Sequence, residues 1–170
     1  MANKGVVLVA GVGGGLGFGI CRRFAAAGYD VAMVSRKQER LEPLAMRINE
    51  DGNGRAHVCP ADIRDEDTVE ALFDQVEATH GPIKAAVLNT GAQHRQPFLD
   101  IPADSFEKVW RLGCYAGFLV GRAAARRMVP RNKGSALSPE AIGQAYVDLH
   151  HQQRSAWSFE IDLRPWSEKF

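Results

Sequence analysis

The sequence lacks the features that mark metal-binding, nucleic-acid-binding, membrane-spanning and secreted proteins. Its three cysteines, Cys21, Cys59 and Cys114, are scattered, and neither they nor the five histidines have the spacing of metal ligands. Lysine and arginine number 21 against 20 acidic residues, so composition gives no reason to expect nucleic acid or an anionic membrane as a partner. No apolar run approaches the roughly 20 residues of a membrane span, and residues 1–10 lack a secretory-signal pattern. We expect a soluble cytoplasmic domain with reduced, mostly buried thiols and no metal.

Short apolar runs alternate with segments of helix length along the chain. Apolar runs predict strands at 6–10, 31–34, 56–59 and 83–88, and helical spacing predicts helices at about 16–28, 37–49, 65–80 and 104–128. A capping box at 104–107 opens the last of these, and a further helix at about 139–150 and strand at 157–163 follow. Strands joined by helical crossovers form parallel right-handed units. The sequence predicts one α/β domain over 1–170, a doubly wound parallel sheet ordered 3-2-1-4 with the C-terminal strand beside the fourth.

A glycine-rich loop follows the first predicted strand. Glycines at such a strand-to-helix turn let a pyrophosphate approach the helix N-terminal amides. No frame gives Gly-x-Gly-x-x-Gly or the Walker spacing, which excludes an NTPase loop, whereas Gly11, Gly15 and Gly17 satisfy Gly-x-x-x-Gly-x-Gly. We favour a cofactor loop over a flexible turn without ligand. The residues predicted to line it are Gly11, Gly13, Gly14, Gly15, Leu16 and Gly17.

This glycine spacing is similar to that of the short-chain dehydrogenase/reductase family, and the resemblance extends over residues 1–134. Asp62-Ile63 matches the family's Asp-Val pair at the adenine, and Asn89-Thr90-Gly91-Ala92 is similar to its Asn-Asn-Ala-Gly. Residues 106–128 resemble its long fifth helix, and 154–165 resemble the C-terminal strand of one atypical branch. The resemblance implies a Rossmann-like domain and hydride transfer between NAD(P) and a carbonyl or alcohol. It also implies cofactor contacts by Asp62, Ile63, Asn89 and Gly91.

Two of these residues have an equally good structural interpretation. Asp62 follows the third predicted strand, where an acid can serve as a helix cap or a loop residue. Asn89 follows the fourth strand, where its amide can tie adjacent loops together. Both interpretations stay open beside cofactor contact.

The residues after the second predicted strand bear on which dinucleotide is bound. They are Ser35, Arg36 and Lys37, with no acid before Glu39. NAD sites place an acid near this point for the ribose 2′-hydroxyl, whereas NADP sites place a cation for the 2′-phosphate. The forked guanidinium of Arg36 suits a phosphate, and the alternative is a solvated basic turn. We expect NADP rather than NAD as the cofactor.

The family's catalytic residues do not appear in their expected places. The resemblance implies a Ser and a Tyr-x-x-x-Lys pair beyond the long helix, and the family's catalytic Asn falls on Gly113. The strand that would carry the Ser begins near Lys133, yet the next residues already resemble the family's C-terminus. We interpret this as an internal deletion near 134–137, with 135–170 as the family's tail.

Another tyrosine could in principle replace the missing pair. Tyr146 and His150 are spaced i and i+4 on a predicted helix, with Ser135 and Ser138 upstream. A histidine lacks the constant positive charge of a lysine at neutral pH, and an amphipathic helix explains the spacing. We predict no catalytic residue and little or no turnover, because binding without a proton donor does not stabilise a transition state.

The long helix could also serve a non-catalytic dimerisation module, or the chain could be a shortened form of a longer protein. Small residues recur at 113, 117, 121 and 125, which favours close packing, either in a homo-oligomer through the 104–129 helix or against the chain's own sheet. Basic residues cluster at the end of this helix, where the helix dipole and solvent explain them. They are Arg122, Arg126, Arg127, Arg131 and Lys133.

Overall fold

The central strand of the fold is β1, Val6–Ala10, whose five side chains are all fully buried. A computed structural model describes residues 4–52, 54–91 and 95–131 of the chain. In it β1 lies between two parallel neighbours, and helices cover both faces of the sheet. Burial on both faces explains why β1 is an unbroken apolar run rather than an alternating one.

The elements follow the predicted alternation of strand and helix. The strands are β1 Val6–Ala10, β2 Asp30–Ser35, β3 Ala56–Pro60 and β4 Ile83–Leu88. The helices are α1 Leu16–Ala26, α2 Gln38–Asp51, α3 Glu66–His80, α4 Ala103–Trp110 and α5 Ala116–Met128, with a short 3-10 helix at Phe98–Asp100. The sheet has the order β3-β2-β1-β4 with all pairs parallel, so the predicted doubly wound α/β fold and its order are confirmed.

The two helix layers bury opposite faces of β1. Val6 and Leu8 pack with α3 and α5, whereas Val7 and Val9 pack with α1 and α2. This separation follows from the two-residue period of a strand, which sends successive side chains to opposite faces. It leaves the carboxyl ends of the strands, and the loops after them, as one edge of the sheet.

The predicted long helix is present, but it differs from the prediction in two ways. A π-helical turn at Arg111–Tyr115 separates α4 from α5. The predicted capping box at 104–107 is wrong, because α4 begins after Pro102 and none of the described side chains caps it. The Pro102 carbonyl accepts from the Ser105 and Phe106 amides, and Asp104 instead pairs with Lys108 at 2.8 Å.

The small residues of this helix face two different environments. A Cβ on Gly117 would lie 2.9 Å from Leu88 Cδ2, so close packing on the chain's own sheet holds at this position. A Cβ on Gly113 or on Gly121 would meet no atom of the described chain within 4 Å. Those two positions leave open helix surface.

The basic residues of α5 pair with acids of α3, which the sequence interpretation in terms of dipole and solvent missed. Arg127 contacts Glu70 at 2.8 Å and Asp74 at 2.6 Å, and its guanidinium lies 5.4 Å from the Phe73 ring centroid. Arg126 contacts Glu70 at 2.9 Å. The Arg127 side chain is 15% exposed and that of Arg126 56% exposed, so the first pair is better shielded from water.

The chain divides into two compact units, Met1–Met128 and Val129–Phe170. The first is the layered fold above, and in the second the structure describes a 3-10 helix at Val129–Arg131. The predicted helix at 139–150, the strand at 157–163, the deletion near 134–137 and the residues Ser135, Ser138, Tyr146 and His150 lie outside the described residues. A single domain over 1–170 therefore stays a prediction. None of the described helices combines the length and apolar character needed to cross a membrane.

We expect Arg127→Ala to lower the free energy of unfolding by about 1–2 kcal/mol, because it removes the shared partner of two carboxylates and uncovers Phe73. The matched control, Arg126→Ala, removes one exposed ion pair and should cost about 0.5 kcal/mol or less. Urea unfolding of the full chain, followed by circular dichroism, measures both losses. Equal losses in the two variants would contradict this ranking.

Candidate functional site

A cavity of about 240 Å³ opens at the carboxyl ends of the strands. It lies where the strand order reverses between β2 and β4 around β1, the place at which open α/β sheets bind ligands. The residues that line it are Gly11, Val12, Gly13, Val34, Ser35, Arg36, Ala61, Asp62, Ile63, Asn89, Thr90, Gly91 and Leu112.

Gly11 and Gly17 are needed for the packing of the loop itself. Gly11 has a φ of +89°, and a Cβ there would lie 2.4 Å from the Asn89 carbonyl oxygen. A Cβ on Gly17 would lie 2.9 Å from the Gly11 carbonyl oxygen. The loop, the start of α1 and the end of β4 therefore approach one another more closely than a side chain allows.

Asn89 fixes this close approach with two hydrogen bonds. Its backbone amide donates to the Ala10 carbonyl at 2.8 Å, and its side-chain Nδ2 donates to the Gly11 carbonyl at 3.1 Å. The structural role anticipated for Asn89, tying adjacent loops together, is therefore present. The same residue also lines the cavity.

The three glycines between these anchors have no such packing role. A Cβ on Gly13, Gly14 or Gly15 would meet no atom of the described chain within 4 Å, and none of the three has a positive φ. The fold alone therefore does not require glycine at these positions. Each side chain omitted here leaves space into which a ligand can approach the backbone.

The N-terminus of α1 lies beside the cavity, since Gly13 lines it and Gly14, Gly15 and Leu16 are exposed next to it. Gly15 is its N-cap, and within the described chain no side chain caps this helix and no acid lies in its first turn. The N-terminal amides carry a partial positive charge from the helix dipole. This end of the cavity fits an anionic group such as a pyrophosphate.

Arg36 supplies a positive side chain to the cavity wall just after β2. The end of β2 that carries Arg36 is held by the glycine loop, since the amides of Gly11 and Val12 donate to the Val34 carbonyl at 2.9 and 3.0 Å. Arg36 is exposed, and its side chain makes no hydrogen bond or ion pair with another residue of the described ranges. Its guanidinium is therefore available to an anion in the cavity. Lys37, the neighbouring cation, is the N-cap residue of α2 and lies beside the wall rather than in it.

Asp62 lines the wall just after β3 and is held by its own loop. The Arg64 amide and Arg64 Nε donate to Asp62 Oδ1 at 3.1 and 2.8 Å, and Arg64 Nη2 donates to Asp62 Oδ2. Hydrogen bonding by the Arg64 side chain lowers the pKa of Asp62 to about 2, and the charge of Arg36 contributes in the same direction. Asp62 thus has the loop role weighed for it and also faces the cavity as a fixed carboxylate.

The structure brings most of the predicted site residues together. Those that line the cavity are Gly11, Gly13, Ser35, Arg36, Asp62, Ile63, Asn89 and Gly91. Gly14, Gly15, Leu16 and Lys37 are exposed beside it, and Gly17 is buried beneath the loop.

The sequence interpretation missed five lining residues. Val12, Val34, Ala61 and Thr90 each adjoin a predicted residue at a strand end, which was the available signal. Leu112 comes from the π-helical turn, and its carbonyl accepts a hydrogen bond from Thr90 Oγ1 at 3.1 Å. Nothing in the local sequence indicates that contact.

The cysteines lie outside the cavity wall and are free thiols. Burial raises the pKa of Cys21 to about 12 and that of Cys59 to about 11, so neither is a thiolate at neutral pH. Only Cys21 is buried, whereas Cys59 is half-buried and Cys114 is exposed, which corrects the expectation of mostly buried thiols.

Comparison with known proteins decides the family. A family model described as short chain dehydrogenase matches residues 5–165. The chain belongs to the short-chain dehydrogenase family. Its members are oxidoreductases that bind NAD(P), and many of them form oligomers.

Individual relatives support this assignment. The chain is 32% identical over 137 residues to a short chain dehydrogenase of Pseudocercospora fijiensis, covering 79% of this chain and 44% of that protein. It is 28% identical over 138 residues to 5-keto-D-gluconate 5-reductase of Escherichia coli, covering 81% of this chain and 54% of that enzyme. A solved short-chain dehydrogenase of Rhodopseudomonas palustris matches with a TM-score of 0.74 and 28% identity, covering 96% of this chain and 100% of that chain. The chain spans about half the length of these two curated relatives.

We predict that substitution by alanine has different effects at the closely packed loop glycines, Gly11 and Gly17, and at the unpacked ones, Gly13–Gly15. Gly11→Ala should lower the free energy of unfolding by about 2 kcal/mol or more, because the new Cβ is strained by the positive φ and by the Asn89 carbonyl. Gly14→Ala should change it by about 0.5 kcal/mol or less, since nothing surrounds that Cβ. Urea unfolding in the absence of nucleotide measures both, and a large loss for Gly14→Ala would show that the fold needs that glycine.

Proposed function

We propose that this chain binds NADP(H), with the adenosine half and the pyrophosphate of the dinucleotide in the cavity at the carboxyl ends of the strands. The observation that carries this proposal is Arg36, a guanidinium in the cavity wall with no partner in the described chain. A 2′-phosphate is the group that distinguishes NADP from NAD, and a guanidinium can bind it with two parallel hydrogen bonds.

The other site residues take roles that their surroundings support. Gly11, Gly13, Gly14, Gly15 and Gly17, with the open N-terminus of α1 that Leu16 begins, hold the pyrophosphate. Ser35 and Lys37 assist Arg36 at the 2′-phosphate. Asp62 and Ile63 contact the adenine, and Asn89 and Gly91 continue the wall beyond it. Within this set, Gly13–Gly15 and Gly91 are the positions where the described chain gives no other structural reason for the lack of a side chain.

We propose binding with little or no turnover for these 170 residues by themselves. When bound, the nicotinamide supplies or accepts the hydride in carbonyl or alcohol oxidoreduction. The sequence contains no Tyr-x-x-x-Lys, the pair that the family uses for proton transfer and for holding the nicotinamide ribose. Relatives such as 5-keto-D-gluconate 5-reductase extend well beyond the part that this chain matches. The free thiols agree with the reducing cytoplasm that we propose as its location.

Nucleotide titration by isothermal calorimetry tests this function. We expect wild type to bind NADPH more tightly than NADH, and Arg36→Gln to weaken NADPH binding about tenfold while NADH binding changes little. Arg23→Gln, which removes an exposed arginine of α1, is the matched control and should leave both unchanged. NADPH absorbance should not fall beyond the protein-free rate when carbonyl substrates are added.

Two outcomes would contradict the proposal. Equal dissociation constants of wild type for NADH and NADPH would contradict the proposal that Arg36 binds the 2′-phosphate. Protein-dependent consumption of NADPH would show that a proton donor is present and would overturn the expectation of little turnover.

A second candidate function is a dimerisation module, which one observation favours. Phe106, Trp110 and Phe118 of the α4–α5 segment are 64%, 45% and 54% exposed, and they form what we call the aromatic surface. Gly113 and Gly121 on the same segment have no neighbour in the described chain that a Cβ would meet within 4 Å. Large exposed apolar side chains in such number are typical of interaction sites.

Light scattering of the full chain at micromolar concentration tests this module. We expect a dimeric mass for wild type and a shift towards monomer for Phe106→Ser and Phe118→Ser, because each removes apolar area from the interface. Met46→Ser is the matched control, since Met46 is 62% exposed on α2. A monomeric mass for wild type would end this alternative without affecting nucleotide binding.

A further inference from the structure

Two arginines compete for the single carboxylate of the cavity wall. Asp62 and Arg36 both line the cavity, and the charge of Arg36 is the weakest of the interactions that lower the pKa of Asp62. A guanidinium and a carboxylate on the wall of one cavity attract each other, and they form an ion pair where the side chains can meet and neither has another partner. In this chain Arg64 takes the carboxylate.

The backbone decides this competition in favour of Arg64. The Arg64 amide donates to Asp62 Oδ1 at 3.1 Å, a two-residue turn that sets the side chain of Arg64 against the carboxylate. Arg64 Nε then donates to Oδ1 at 2.8 Å, and Nη2 donates to Oδ2. Both carboxylate oxygens are thereby occupied by the forked donors of one guanidinium.

The result is an uneven distribution of charge along the wall. Asp62 and Arg64 neutralise each other, and Arg64 itself is not among the lining residues. Arg36 has no ion-pair partner in the described chain, so one positive charge in the wall is left uncompensated. Without Arg64, Asp62 would be both a partner for Arg36 and a negative charge repelling a phosphate.

We propose that Arg64 is a specificity-determining positioning residue, which holds Asp62 away from Arg36 and so keeps Arg36 free for a phosphate monoester on the adenosine ribose. This inference rests on the proposed function, since it concerns how the same cavity distinguishes NADP from NAD. It adds a residue outside the cavity wall to the set that decides cofactor choice. It also gives Asp62 a second effect, because the residue that contacts adenine becomes an inhibitor of phosphate binding once its partner is removed.

The adenosine fragments 2′,5′-ADP and 5′-AMP test this inference without the nicotinamide half. They differ only in the 2′-phosphate, so the ratio of their dissociation constants measures the preference for that group. Wild type should prefer 2′,5′-ADP, and Arg64→Gln should reduce the preference about tenfold with little change in 5′-AMP binding. Arg64→Lys should retain part of the preference, because an ammonium still neutralises Asp62 but lacks the fork.

A double variant separates this role from a merely structural one. In Asp62→Asn/Arg64→Gln no carboxylate remains to compete for Arg36, so the preference for 2′,5′-ADP should return to near the wild-type value. A disturbed loop would not be repaired by the second substitution. Arg23→Gln is again the matched control, and thermal unfolding without nucleotide confirms that each variant is folded.

The outcomes distinguish this inference from the proposed function. If wild type binds neither fragment, the proposed nucleotide site is wrong. If wild type prefers 2′,5′-ADP and Arg64→Gln prefers it equally, the site stands and the role of Arg64 is overturned. If Arg64→Gln loses the preference and the double variant does not regain it, Arg64 acts through the structure of the loop, and competition by Asp62 is overturned.

Discussion

The candidate site depends on the close contact between the Gly11 loop and Asn89. Two hydrogen bonds from Asn89, to the carbonyls of Ala10 and Gly11, join the end of β1 to the end of β4. The contact is only possible because residue 11 has no side chain, since a Cβ would lie 2.4 Å from the Asn89 carbonyl oxygen. The parts of the wall that follow β2 and β3 are positioned relative to this junction, because both strands follow outward from β1 in the same parallel sheet.

The glycines of the loop therefore have two functions that sequence spacing does not separate. Gly11 and Gly17 close the junction, and Gly13–Gly15 leave the N-terminus of α1 open. A closed junction without the open amides would be a stable turn that offers no hydrogen-bond donors to an anion. The open amides without a closed junction would not be held at the end of the sheet. The family assignment agrees with a loop that combines both.

The charged side chains in and around the site differ in whether another residue of the described chain pairs with them. The arginines of α5 are paired with acids of α3, and Arg64 is paired with Asp62, whereas Arg36 is left to the cavity. Since the whole chain carries 21 basic and 20 acidic residues, its net charge gave no indication of this local excess. What matters for a bound phosphate is which cations lack a protein partner, and that depends on tertiary contacts.

Much of the fold could be predicted because its signals are local. The apolar run at Val6–Ala10 marks a strand buried on both faces, and strand-to-helix alternation limits the topology to a few arrangements. The prediction for Asp104–Glu107 was wrong and that for the arginines of α5 was incomplete, for a different reason. The capping-box pattern is visible in the sequence, but α4 begins at Ala103, directly after its N-cap residue Pro102, so the pattern falls inside the helix. The acids that pair with Arg126 and Arg127 are on another helix, α3, which the local sequence does not show.

The sequence by itself determined the strand order, the position of the glycine loop and the presence of Arg36 at the end of β2, because periodicity, turn residues and parallel crossovers are properties of neighbouring residues. Tertiary structure alone decided that Leu112 joins the wall and that Asn89 anchors the loop. The pairing of Asp62 with Arg64 is local, since a two-residue turn presents it. The contacts of Leu112 and Asn89 depend on distances between backbone and side-chain atoms of separate loops. Such distances are fixed only when the sheet and its helices pack together.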